Sequence, residues 1–114
     1  MRHTLKLQPK YYEAIKKGIK IIELRLLDEK RKNINLGDEI EFKKEPELKE
    51  STITRVKGIL LYESFESLID EYPIESLSDF DTTKEELLET LNKFYSKEKQ
   101  NQYGVIGIRV ELIN

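Results

Sequence analysis

The stretch Gly18-Ile19-Lys20-Ile21-Ile22-Glu23-Leu24-Arg25 places three charged residues where a helical pattern gives way to a strand pattern. From residue 22 to residue 26, apolar and charged side chains alternate with a period of two. This alternation is typical of a half-buried β-strand, in which successive side chains point to opposite faces. We therefore expect Glu23 and Arg25 to share the solvent face, about 7 Å apart along the strand.

The three charged residues of this stretch are the first candidates for a functional site. Lys20 can join Glu23 and Arg25 only if Gly18 and Ile19 still belong to a turn. Such a cluster can hold a charged face together, or offer a ligand a carboxylate acceptor and a forked guanidinium donor. A buried lysine can act as a general base, but a neighbouring glutamate favours its ammonium form. The cluster is therefore better suited to holding a ligand than to abstracting a proton.

The segments on either side predict an α+β fold. Pro9 begins a first helix that ends before Gly18, Ser64 caps a second, and Thr83 and Glu86 form the capping box of a third. Because most of the strands are not separated by crossover helices, we expect a largely antiparallel sheet that can close into a small barrel. Five segments have strand character: residues 1–7, 22–26, 39–42, 51–62 and 105–112.

Two further predictions concern the second half of the chain. Residues 96–102 form a polar stretch that leads to the final strand, and Gly58 predicts a bend or bulge within its strand. The third helix carries an apolar stripe that we expect to be buried, formed by Leu87, Leu88, Leu91, Phe94 and Tyr95.

Length and composition exclude several classes of protein. The 114 residues fit one domain, which we expect to cover residues 1–114. Cysteine is absent and His3 is the only histidine, which excludes disulfides, thiol nucleophiles, histidine triads and multi-histidine metal sites. Glycine-rich phosphate loops are also absent, so we expect no metal and no cofactor. Because no apolar run is long enough to span a bilayer or form a signal peptide, we expect a cytoplasmic protein without a membrane partner.

The charge is unevenly distributed. The formal net charge of −2 argues against coating nucleic acid through bulk electrostatics. Residues 1–32 hold ten Lys or Arg and four Asp or Glu, a balance of +6, whereas residues 33–114 hold ten and eighteen, a balance of −8. The first third of the chain can therefore offer a local anion site on an otherwise acidic molecule, or it is simply a solvated surface.

The opening stretch resembles the G-x-K-x-x-E-x-R signature of ASCH domains, which belong to the PUA-like superfamily. All four fixed places match, at Gly18, Lys20, Glu23 and Arg25. Three more segments resemble successive parts of that family in the same order: residues 36–42, 62–68 and 103–108. The resemblance implies a small mixed or antiparallel PUA-like β-barrel flanked by about three short helices.

The resemblance also implies a cleft beside the barrel that binds RNA or nucleotides. Lys20, Glu23 and Arg25 would line it. Lys17, in the basic last turn of the first helix, and Tyr103, whose ring can stack on a base, complete the candidate ligand-binding set. The partner would be RNA, a nucleoside or a nucleotide.

One branch of the family consists of small amidohydrolases that remove the acetyl group from acetylated cytidine with a lysine, a threonine and a glutamate. Lys20 falls on the lysine position, but Glu23 stands where that branch has its threonine. The third member would come from the region of Glu75, Asp79 and Asp81. The alternatives to a binding module are thus a hydrolase of modified nucleosides or RNA, with Lys20 and Glu23 as catalytic residues, and a purely structural pair that closes the barrel edge.

Overall fold

The computed structural model describes residues 1–113 and has an α+β fold, as predicted. No helix in this part of the chain has both the length and the apolar character needed to cross a membrane. The strands are β1 (Arg2–Leu7), β2 (Ile22–Leu26), β3 (Glu39–Lys44), β4 (Ser51–Tyr62) and β5 (Val105–Leu112). The helices are α1 (Pro9–Lys16), α2 (Phe65–Asp70), α3 (Ile74–Leu77), α4 (Lys84–Phe94) and α5 (Lys97–Tyr103), with one 3₁₀ turn at Arg31–Asn33.

The five strands form one mixed sheet that curls into a half-barrel, in the order β1-β3-β4-β5-β2. β1 and β3 are parallel, and the other three pairs are antiparallel. The register shifts between Val56 and Gly58, which confirms the predicted bulge. Within the described residues β1 and β2 remain the two edges of the sheet, so an open seam separates them.

Apolar side chains form two clusters, and β2 is buried on both of its faces. One cluster packs α1 against the strands around Ile40 and Phe42. The other packs α2, α3 and α4 against the apolar face of β2. The expectation that Glu23 faces solvent is wrong, because only 6% of this residue is exposed. Distant segments cover its face of the strand, since Leu77 O and Lys6 O accept hydrogen bonds from Lys20 and Arg25 beside it.

Five helices form within residues 1–113, and three of them have seven or more residues, in keeping with the expected set of about three. α3 starts directly after Pro73, in a segment for which no helix was predicted. α5 occupies the polar stretch before β5, for which no helix was predicted. Ser96 caps α5 by accepting from the Lys99 amide, and Gln100 is buried and donates to Asn92 Oδ1 at 3.0 Å. A cap and a buried amide hold this helix, so hydrophobic periodicity does not reveal it.

Candidate functional site

Gly18 directs Lys20 into the interior of the protein. It follows α1 with a φ of +79°, a left-handed conformation that favours glycine. The amides of Ile19 and Lys20 both donate to Ala14 O, at 3.0 and 3.2 Å, so the chain stays in a turn. β2 begins only at residue 22, and Lys20 is 3% exposed. The turn therefore brings Lys20 to the same side as Glu23 and Arg25.

All three ammonium protons of Lys20 have an acceptor. Its Nζ atom lies 2.5 Å from Ile22 O, 2.7 Å from Leu77 O and 3.2 Å from Glu23 Oε1. Burial lowers the pKa of Lys20, while the Glu23 carboxylate acts to raise it. Because three acceptors require three donors, the geometry selects the charged ammonium.

Arg25 connects Glu23 to the opposite side of the seam. Its Nε donates to Glu23 Oε2 at 2.6 Å, and its Nη2 donates to Lys6 O on β1 at 2.7 Å. Burial alone would raise the pKa of Glu23, but the charges of Arg25 and then Lys20 outweigh burial and hold it below its ordinary value. Lys20, Glu23 and Arg25, which we call the motif triad, therefore form a buried ion cluster with a net charge of +1.

The motif triad forms the floor of a cavity of about 230 Å³, which we call the seam cleft. One wall comes from the end of β1, another from β2, and α4 lies across them. This volume is close to the lower end of the range of small-molecule sites, about 300 Å³. The lining residues are Lys6, Leu7, Gln8, Tyr11, Lys20, Glu23, Leu24, Arg25, Glu45, Leu77, Leu87, Thr90, Leu91, Phe94 and Tyr95.

The aromatic side chains of Tyr11, Phe94 and Tyr95 line the seam cleft. The ring of Tyr11 lies 5.7 Å from Lys20 Nζ, within cation–π distance. Burial raises the pKa of the Tyr11 hydroxyl, and the negative charges of Glu23 and Asp79 raise it further. Phe94 was expected in the buried stripe of α4, but it is 62% exposed at the rim of the cleft. It is the last residue of α4 and extends beyond the apolar cluster that buries Leu91.

The structure brings together only part of the candidate set from the sequence. Lys20, Glu23 and Arg25 meet in the seam cleft. Lys17 is exposed at the end of α1, and Tyr103 packs against the apolar cluster of α2 to α4, so neither lines the cleft.

Acidic residues elsewhere do not extend the site. Glu75, Asp79 and Asp81 all lie outside the lining of the cleft. Asp79 instead accepts from Thr82 Oγ1 at 2.7 Å. Residues 1–113 contain no group of three or more His, Cys, Asp or Glu side chains arranged to hold a metal ion.

Sequence reasoning missed several lining residues that come from distant segments. Lys6 lies near the end of β1 and Gln8 follows that strand. Glu45 follows β3, and Thr90 and Phe94 lie on α4. The sequence of these segments carried no signal for a role beyond packing, and periodicity assigned Phe94 to the core.

The family model for the ASCH domain matches residues 5–114, nearly the whole chain. The chain belongs to the ASCH domain family. The motif triad lies inside the matched range of this ASCH domain. No curated protein matches the chain.

Two solved structures are similar to this ASCH domain over the full length of both chains. The crystal structure of hypothetical protein PH0355 has a TM-score of 0.87 and 38% sequence identity, covering 99% of this chain and 100% of the other. The solution NMR structure of protein PF0455 from Pyrococcus furiosus has a TM-score of 0.79 and 35% identity, covering 100% and 99%.

Proposed function

We propose that the seam cleft binds RNA or a nucleotide by accepting one base. The observation that carries this proposal is an exposed aromatic ring, Phe94, at the rim of a small cavity whose floor is a positively charged ion cluster. Exposed aromatic rings bind bases by stacking, and single-strand binders combine them with nearby positive charge. The membership of the chain in the ASCH family, which is associated with RNA binding, supports the same function.

The charge of the cleft suits a ligand that carries phosphate. Its lining residues include three cations and two carboxylates, which gives a net charge of +1. Glu23 is neutralised within the motif triad, and Lys6 is exposed beside it. The Nη1 atom of Arg25 is bonded to no protein group within residues 1–113, so it can donate to a phosphate or a base carbonyl. Lys6 and Arg25 are therefore the expected contacts of the charged part of the ligand.

The geometry favours binding over hydrolysis. A general base needs a free lone pair, whereas Lys20 has all three protons engaged. Glu23 stands in place of the threonine of the amidohydrolase branch, and both of its oxygens are held by cations. The motif triad therefore forms the floor of the cleft and gives it a positive charge. The contacts that depend on the identity of the ligand are made by residues above this floor.

Replacing Phe94 tests the proposal without touching the motif triad. We expect Phe94→Ala to weaken binding of a fluorescein-labelled single-stranded RNA of mixed sequence by about 5- to 150-fold in fluorescence anisotropy, because stacking on one aromatic contributes about 1–3 kcal/mol per base. Phe80→Ala is the matched control, since Phe80 is 71% exposed and does not line the cleft. The proposal is wrong if the wild-type protein binds neither this RNA nor any nucleoside 5′-monophosphate, or if both variants lose affinity equally.

A further inference from the structure

The main chain of β2 presents unpaired hydrogen-bonding groups to the seam. In an antiparallel pair, residues alternate between those whose N–H and C=O face the partner strand and those whose groups point away. Ile21 O accepts from Val110 and the Leu27 amide donates to Gly104 O, so odd-numbered residues of β2 face β5. The N–H and C=O of Ile22, Leu24 and Leu26 must therefore point toward the seam.

A hydrogen bond from Lys20, which lies on the side of β2 away from β5, agrees with this alternation. Lys20 Nζ donates to Ile22 O, which is one of the carbonyls directed away from β5. The side chain of Lys20 thus occupies the position that a neighbouring strand would take at residue 22. The next pair of seam-facing groups along the strand belongs to Leu24, which lines the seam cleft.

Leu24 is buried, yet its seam-facing groups have no partner in the described chain. Only 5% of the residue is exposed, and among residues 1–113 the only strand paired with β2 is β5. No side chain or main-chain group of residues 1–113 outside the β2–β5 ladder bonds to its N–H or C=O. Buried main-chain groups are paired in more than nine of ten cases, so an unpaired donor and acceptor at a cavity wall indicate a place for a ligand.

The dimensions of the cleft restrict what can pair with Leu24. A peptide strand would need a continuous row of free groups, but Ile22 O is already taken and α4 covers the seam. A cavity of about 230 Å³ holds a ring rather than an extended chain. The partner must therefore be a compact group with a donor and an acceptor side by side on one edge.

We propose that the main-chain N–H and C=O of Leu24 bind the hydrogen-bonding edge of the base that enters the seam cleft. This inference rests on the proposed function and adds how the base is held. Every nucleobase carries an adjacent donor and acceptor: the amino group and N3 of cytosine, N3–H and O4 of uracil, the amino group and N1 of adenine, and N1–H and O6 of guanine. Leu24 would therefore recognise an unmodified, unpaired edge without selecting one base.

An amide-to-ester replacement tests this contact directly. Incorporation of the α-hydroxy analogue of leucine at position 24 removes the Leu24 N–H and leaves the side chain unchanged. The same replacement at position 26 is the matched control, because the Leu26 N–H also points away from β5 but Leu26 does not line the cleft. Binding of the four nucleoside 5′-monophosphates and of ribose 5-phosphate is measured by isothermal titration calorimetry on the full-length chain.

We expect the ester at position 24 to weaken binding of the monophosphates by roughly three- to tenfold relative to the ester at position 26. Ribose 5-phosphate has no base, so its affinity should not differ between the two esters. In the wild-type protein, ligand binding should shift the Leu24 amide resonance in ¹H–¹⁵N spectra. 3-Methyluridine 5′-monophosphate, which lacks the N3–H donor, should bind more weakly than the uridine compound.

The possible outcomes separate the inference from the proposed function. Equal affinities of the two esters, with no shift of the Leu24 resonance, would overturn the inference while leaving base binding intact. Failure of the wild-type protein to bind either the four monophosphates or the single-stranded RNA would overturn both. If only the RNA binds, the Leu24 amide resonance in its presence decides the inference. If an ester variant does not fold, the methylated ligand and the Leu24 resonance decide the question on the unmodified chain.

Discussion

Glu23 is the residue whose replacement should reveal how strongly the motif triad stabilises the fold. Glu23→Gln keeps the shape of the side chain but removes the only negative charge of the triad. Lys20 and Arg25 would then be two buried cations without a counter-ion, with side chains 2% and 15% exposed. Leaving a buried charge unpaired costs about 3–5 kcal/mol.

The expected loss is large for a domain of this size. A free energy of unfolding of about 5–15 kcal/mol is typical, so Glu23→Gln should remove a substantial fraction of it. At roughly 4 °C per kcal/mol, the melting temperature should fall by about 12–20 °C. Urea unfolding followed by circular dichroism gives the free energy, and a thermal scan gives the melting temperature.

Glu39→Gln is the matched control, because Glu39 also joins two cations but does so at the surface. It accepts from Arg2 at 2.8 Å and from Arg55 at 3.4 Å, and its side chain is 29% exposed. Solvent and salt screen such pairs, so this variant should lose much less stability, and less still at high salt. If Glu23→Gln costs no more than Glu39→Gln, the triad does not act as a buried ion cluster.

Three other predictions concern acid stability, backbone conformation and catalysis. The hydrogen bond from His3 is the main cause that lowers the pKa of Asp38 from 3.8 to about 2. The Asp38 carboxylate should therefore stabilise the fold above pH 4 and cease to do so as the pH falls through 2. The melting temperatures of the wild type and of Asp38→Asn should differ at pH 6 and converge toward pH 2. Gly104 has φ 75° and ψ −179°, a region almost restricted to glycine. Gly104→Ala should therefore strain the backbone and lower the free energy of unfolding by about 1–3 kcal/mol in urea titrations. An unchanged free energy of unfolding would show that alanine is not strained at this position. Acetylated cytidine incubated with the protein should release no more acetate, measured by chromatography, than with Lys20→Ala; clear turnover by the wild type alone would restore the hydrolase alternative.

The sequence predicts the strands well because their patterns are local. The alternation in β2 and the turn at Gly18 need only neighbouring residues to be recognised. The burial of Glu23 is not local. It depends on Arg25 reaching the carbonyl of Lys6, nineteen positions away, and on Lys20 reaching Leu77 O, fifty-seven positions away. A charged strand face is predicted to be solvated, because the distant groups that cover it cannot be recognised from the local sequence.

The residues that line the seam cleft were also only partly predictable from the local sequence. The motif identifies its floor, but its rim comes from segments whose sequences show only ordinary periodicity. Phe94 falls on the apolar stripe of α4 and looks like a core residue, whereas the helix ends there and leaves the ring exposed. The unpaired groups of Leu24 depend on strand order, because they are free only if β2 lies at the edge of the sheet.

Intermolecular nuclear Overhauser effects between a short single-stranded RNA and the ¹³C-labelled protein test base binding in the seam cleft most directly. We expect contacts from base protons to the ring of Phe94 and to the methyl groups of Thr90 and Leu91, which line the cleft. Contacts confined to another surface, such as the one around Lys57 and Arg109, would contradict this expectation, as would the absence of any contact at saturating RNA.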